Sequence, residues 1–232
     1  NSTIYAHCQD CRHTILCGSM ADFVHLHVHS HYSLLTGLPK IKELVKAAKE
    51  RGFKALALTD YGSMYGMIQF YEKCREEGIK PILGCEFYLA LGSRFDKRAK
   101  IDMSAYHLVL LAETFEGYQN IMRMSSIGHL EGFYYRPRID KEVLRQYAKG
   151  TIALSGCMGG EIPQLIHNGA SSEKINTAIK EYQEIFGADN FFLELQDHPE
   201  KEGQVEVNNA LINASKETGA TLVVSRDVHY LN

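Results

Sequence analysis

The chain has 232 residues, 45% apolar and 23% charged, which suits one folded unit with a sizeable core. Its net charge of −3 excludes a surface that attracts nucleic acid as a whole, though not a local basic patch. No apolar run approaches the roughly 20 residues that a spanning helix needs, so no membrane partner is expected.

The first segment differs in texture from the rest. Gly18-Ser19-Met20 resembles a cloning scar before a natural start, so residues 1–19 read as a cloning-derived leader and residues 20–232 as the domain. His7, Cys8, Cys11, His13 and Cys17 in that leader are zinc-type donors, but their spacing is tighter than that of the common zinc knuckles. Cys74, Cys85 and Cys157 are scattered, as reduced thiols of a cytoplasmic protein would be.

From Ala21 onward, strand-like and helix-like stretches alternate. Strands are expected at 23–29, 54–59, 81–90, 107–112, 151–155, 191–196 and 221–227. Helical spacing appears in Ile41-Leu44-Val45-Ala48, then over 67–77, 118–127, 141–147, 175–186 and 205–218, with Gly52, Gly78, Gly187 and Gly219 as stops. Seven strands separated by helices predict parallel β/α units, as an open sheet or a closed barrel.

The run Phe23-Val24-His25-Leu26-His27-Val28-His29 places three histidines at period two, on one face of the expected strand. Neutral imidazole is the commonest protein ligand for a divalent cation, so three in register point to a metal. Further donors fall near the ends of later strands: Asp60, Glu86, Cys157, the group Glu194-Gln196-Asp197-His198, and Asp227 with His229. Parallel β/α barrels build their active sites at that face from several strands. Glu86 lies in an apolar strand, where a buried unpaired carboxylate costs several kcal/mol, so it needs a metal or another partner. His107 fits this pattern less cleanly, because it begins its apolar run instead of ending it.

These residues also carry a family resemblance. His25-Leu-His27-Val-His29-Ser30, Ala57-Leu-Thr59-Asp60, Gly62-x-Met64-Tyr65-Gly66, Lys80-Pro81-Ile82-x-Gly84-x-Glu86, Tyr106-His107-Leu108, Leu154-Ser155-Gly156-Cys157-x-Gly159-Gly160 and Asp227-Val-His229-Tyr230-Leu231 resemble the PHP (polymerase and histidinol phosphatase) domain of bacterial replicative polymerase alpha chains. The resemblance covers residues 21–232. It implies an α/β fold, a distorted seven-stranded TIM-like β/α barrel, with zinc, manganese or iron at its C-terminal face. It also implies phosphoesterase chemistry, of the 3′→5′ exonuclease type in some of these polymerases.

Carried over by position, the resemblance gives His27, His29, Glu86 and Asp227 as one metal site and the catalytic residues, with Glu86 bridging to a second site completed by His107 and Cys157. A third site would use His229 together with the positions occupied here by Thr36 and Tyr61. Neutral Thr is a poor ligand and a phenol must first lose a proton of pKa about 10, so two cations are expected instead of three. Arg136 and Arg138, beside Phe133, Tyr134 and Tyr135, are candidate phosphate contacts; Arg94, Lys97, Arg98 and Lys100 read as a solvated loop. The implied partners are the 3′ end of a DNA primer, the remaining domains of the polymerase chain, and a separate proofreading exonuclease subunit. The competing expectation is a catalytically impaired structural or docking module of that polymerase.

Overall fold

The computed structural model describes residues 23–231. The readings of residues 1–19 as a leader and of their zinc-type donors lie outside these residues. Helix α1 (Ile41–Glu50) buries Ile41, Leu44, Val45 and Ala48, the expected helical face. Strand β1 (Ala55–Leu58) is wholly buried, and α2 (Met67–Glu77) stops at Gly78, whose φ of 73° suits a residue without Cβ. Strand β2 (Lys80–Ala90) pairs in parallel with β1 along its first half, matching Ala55–Leu58 to Lys80–Leu83.

Strand β3 (Ala105–Ala112) overturns the expectation of purely parallel units. It runs antiparallel to β2, with Glu86 opposite Val109 and Tyr88 opposite His107. It is also antiparallel to β6 (Thr151–Leu154) on its other side. The connection between β2 and β3 contains no helix, and a parallel return needs a crossover of a dozen or more residues, usually helical. The reversal brings the beginning of β3, with His107, to the face where the parallel strands end. His107 thus reaches the polar face from the start of its run.

Beyond β3 come α3 (Phe115–Leu130), the hairpin strands β4 (Phe133–Tyr134) and β5 (Arg136–Ile139), and α4 (Lys141–Tyr147), which precedes β6. The N-cap hydroxyl of Thr114 accepts from the Gly117 amide, which starts α3 three residues before the apolar periodicity becomes visible. After β6 follow α5 (Glu161–His167), α6 (Ser172–Phe186), β7 (Phe191–Gln196), α7 (Gln204–Thr218) and β8 (Thr221–Ser225). Neither the hairpin nor α5 is evident in the sequence pattern, being two short strands and a seven-residue helix.

The ring closes through residues 25–29. Ala57 and Thr59 donate to the carbonyls of His25 and Val28 on one side; His29 donates to Val228, and Val228 to His27, on the other. This stretch was expected to be a regular strand but forms only one isolated bridge, Val28 with Val228. The reason is local: the Val28 amide donates to the Thr59 hydroxyl at 2.9 Å instead of to a ladder carbonyl. With that segment, β1, β2, β3, β6, β7 and β8 complete a distorted seven-stranded barrel. Leu26, Ala57, Val109, Leu111 and Leu154 form an apolar cluster of its own, separate from the larger cores beneath the helices. Because side chains alternate along β3, Val109 and Leu111 share a face with His107.

Candidate metal centre

Two groups of donors converge on the open face of the barrel, and Glu86 belongs to both. His27, His29, Glu86 and Asp227 offer donor atoms within 4.8 Å of one another, as do Glu86, His107 and Cys157. One carboxylate oxygen of Glu86 lies 2.9 Å from His27 Nε2 and 3.0 Å from His29 Nε2, and the other lies 2.8 Å from His107 Nδ1. Cys157 Sγ is 3.7 Å from the same His107 nitrogen. Asp227 Oδ1 approaches His29 Nε2 at 3.2 Å and His229 Nε2 at 2.9 Å.

Hydrogen bonds outside the cluster fix how the imidazoles face it. His27 Nδ1 donates to Glu194 at 2.8 Å, which turns Nε2 toward Glu86 as the nitrogen that would bind a cation in place of its proton. Glu194 is itself held by the Gln196 amide and the Ser225 hydroxyl. His29 Nδ1 donates to Ser33 at 2.9 Å, and the Ser33 hydroxyl donates onward to Asp60 at 2.6 Å. Asp60 also accepts from the amide and hydroxyl of Ser30, so it braces the loop after His29 instead of facing the donors. Partners of this kind are what orient metal-ligating histidines. Nothing in the sequence pattern marks Ser33; it is recognisable only once the fold brings it under His29.

The electrostatics fit a cation. Burial alone would lower the His27 pKa, but Glu194, Glu86 and Asp227 outweigh it and raise that pKa well above the ordinary value. Burial would raise the Glu86 pKa, yet His27, His107 and His29 together hold it well below the usual carboxylate range. Asp227 is held low in the same way, against its own burial, first by His27 and then by bonds from His229 and His29. Burial, then Glu86 and Asp227, pushes the Cys157 thiol up, so it ionises only when positive charge arrives. Three carboxylates packed among imidazoles need positive charge, from protons or from bound cations. His29 Nε2 and Asp227 Oδ1 are both buried and lie 3.2 Å apart, close enough to share one ion. His, carboxylate and thiolate donors suit zinc and neighbouring transition metals.

The other expected residues divide. His229 joins the cluster, its ring stacked on His29 at 4.3 Å and 5°. Tyr61 lies beside it, stacked on His29 at 4.3 Å and on Tyr88 at 5.4 Å; burial, then Glu86 and Asp227, raises its pKa, so it stays a phenol. Thr36 is exposed and its hydroxyl donates to the Ser33 carbonyl. His25, expected to share a face with His27 and His29, instead packs edge-on against Phe23 and Phe53, because its segment is not a regular strand. Arg136 lies over the Tyr88 ring at 4.8 Å. Arg138 corrects the reading of a phosphate contact: it is buried, and its guanidinium donates to the carbonyls of Gly132, Asp102, Arg94 and Asp96. Arg94 and Arg98 are likewise engaged, by Asp140 and Asp102.

A barrel that gathers these donors at one mouth is a known architecture, and the PHP domain family model matches residues 25–198. The chain belongs to the PHP domain family. Among curated proteins it is similar to the DNA polymerase III subunit alpha of Treponema pallidum, 48% identical over 90% of this chain and 18% of that protein. It is also similar to that of Thermus aquaticus, 46% identical over 92% of this chain and 18% of that one. The chain thus spans about a fifth of the length of these relatives. Two solved structures share the fold: a protein of Bifidobacterium adolescentis assigned as a metal-dependent phosphoesterase (TM-score 0.58, 13% identity, 92% of this chain and 89% of that one) and an amidohydrolase of Chromobacterium violaceum (TM-score 0.55, 15% identity, 89% and 87%). Among the described residues no helix is long and apolar enough to cross a membrane.

Proposed function

We propose that this chain is the PHP domain of a DNA polymerase III alpha subunit and hydrolyses the terminal phosphodiester of a DNA strand, releasing nucleotides from the 3′ end. The observation that carries this reading is the sharing of Glu86 between two donor groups, one of His27, His29 and Asp227 and the other of His107 and Cys157. Those residues would hold two divalent cations. Bound there, such cations supply Lewis-acid activation of water and neutralise charge on the phosphoryl oxygens.

The chain's own residues do the remaining work. Glu194 keeps a His27 proton on Nδ1, and the Ser33–Asp60 pair does the same for His29, so that both Nε2 atoms face the cluster and would bind a cation there. Tyr61, held as a phenol, can give its hydroxyl proton to a phosphate oxygen as a hydrogen bond. Arg136, exposed over Tyr88, is the remaining candidate for contact with the strand's backbone.

A second reading rests on Tyr61 and Thr36, which fill positions that the family resemblance gives to metal ligands. Under it the cations brace the barrel, and the domain docks other parts of the polymerase chain or a separate exonuclease subunit. The deciding experiment follows release of labelled nucleotide from the 3′ end of a short DNA strand, with zinc or manganese supplied and His27→Ala as control. Metal-dependent release that the control lacks supports the hydrolase; no release by metal-loaded protein moves the conclusion to the structural module.

A further inference from the structure

Between α1 and the segment that follows β8 lies a cavity of about 460 Å³. None of His27, His29, Glu86, His107 or Cys157 lines it, although Asp227 and His229 form part of its wall. The rest of that wall combines two chemistries: apolar surface from Leu44, Ala48 and Phe53, and positive charge from Arg51 and Arg226.

The two guanidiniums are positioned but not neutralised. Arg51 donates one bond to the Leu231 carbonyl at 2.7 Å, and Arg226 one to the Asp197 carbonyl at 2.9 Å. Each fork keeps further N–H groups, and neither forms an ion pair among the described residues. Arg94, Arg98 and Arg145, by contrast, are all matched by carboxylates. Three imidazoles of the cavity wall, His25, His198 and His229, each keep a buried ring nitrogen, Nδ1, Nε2 and Nδ1 respectively, without a hydrogen-bond partner.

Against the one carboxylate of the wall, Asp227, which His29 and His229 already engage, the two tethered arginines leave an excess of positive charge that an anion would match. Arginine forks match the oxygens of a phosphate. The cavity lies in the roughly 300–1,000 Å³ range of small-molecule sites, larger than a phosphate ion needs, and its apolar surface calls for a hydrophobic body on the same ligand. Phe53 and Tyr230 add aromatic surface suited to a flat ring. We infer that this cavity binds a phosphomonoester of the nucleoside monophosphate class, with its phosphate on Arg51 and Arg226 and its base against Leu44, Ala48 and Phe53. The inference does not depend on hydrolysis at the metal centre.

The test is calorimetric titration of thymidine 5′-monophosphate into the full chain in EDTA, which removes metal-centred binding. Thymidine and inorganic phosphate serve as separate probes. The nucleotide is expected to bind at about millimolar concentration or below, and each half-probe about tenfold more weakly or worse. Arg226→Gln, a change at an exposed residue, should weaken nucleotide binding about tenfold. Ala47→Trp, which fills the cavity from α1 and leaves both arginines, should abolish it, with thermal melts reporting that each variant is folded. The inference is overturned by wild-type protein that binds the nucleotide no more tightly than inorganic phosphate, or not at all. Binding that survives both substitutions overturns it equally.

Discussion

Glu194 Oε1 lies 2.8 Å from His27 Nδ1, while Nε2 of the same ring lies 2.9 Å from Glu86. A carboxylate behind the imidazole fixes the tautomer and strengthens the ring as a ligand. Replacing Glu194 by Ala is therefore expected to weaken zinc binding about 10- to 100-fold while leaving His27 in place. Competition with a chromophoric chelator reads this directly, and an unchanged affinity would remove Glu194 from the site.

Because Glu86 serves both donor groups, metal counts should respond unequally to substitution. His29→Ala and Cys157→Ala are each expected to lower the bound zinc from two equivalents to one, and Glu86→Ala to lower it to none. Native mass spectrometry gives these counts. Cobalt supplied in place of zinc should give a thiolate-to-cobalt charge-transfer band, because the Cys157 thiol gives up its proton to become a ligand, and Cys157→Ala should weaken that band. If the band is equally strong in the variant, the second group is not a metal site.

Arg136 and Arg138 look alike in the sequence but have opposite tasks. Arg138 is buried and satisfies four carbonyls, so Arg138→Met leaves buried acceptors unpaired and should cost on the order of 3 kcal/mol in urea melts. Arg136 is exposed, and Arg136→Ala should leave stability within about 0.5 kcal/mol of the parent. Equal losses from the two changes would contradict this division.

What the sequence made legible follows from period. His27 and His29 alternate with apolar residues, Glu86 interrupts an apolar strand, and Asp227 and His229 sit two apart; each pattern is local and survives folding. His25 obeys the same period and yet leaves the group, because the Val28 amide turns to Thr59 and breaks the ladder. The direction of β3 was legible in principle: with no helix between β2 and β3, an antiparallel return was the simpler connection. Glu194 was visible as one polar residue in a strand, but its role behind His27 joins residues 167 positions apart. The burial of Arg138 depends on carbonyls from two loops, the connection from β2 to β3 and the turn at Gly132, and no short window of sequence contains that information.

Acid stability should carry the mark of Asp102. Hydrogen bonds from Arg98 hold its carboxyl down at about 2, against the opposing effect of burial. A carboxylate depressed in the folded state contributes stability that is fully present above its unfolded pKa of about 4 and is lost as pH falls through the folded value. The stability gap between the parent and Asp102→Asn should therefore stay constant from neutral pH to about 4 and narrow between about 4 and 2. Melts across that range test the sign, and a gap that widens on acidification would reverse the assignment.

Tyr61 bears on how many cations the site holds. Its ring stacks on His29 at 4.3 Å and lies 6.1 Å from that of His229, and burial beside Glu86 and Asp227 keeps the phenol protonated, so it is a poor ligand where it stands. Thr36, the other position that the resemblance gives to a third cation, is exposed and bonded to the Ser33 carbonyl. The single change Tyr61→His should thus be the effective one, setting an imidazole beside His229 and raising the zinc count from two to three. Tyr61→Phe, which keeps the stack and removes the hydroxyl, should leave the count at two. A count of two in both variants would mean that His229 serves Asp227 alone, through their 2.9 Å contact, and is not part of a vacated ligand set.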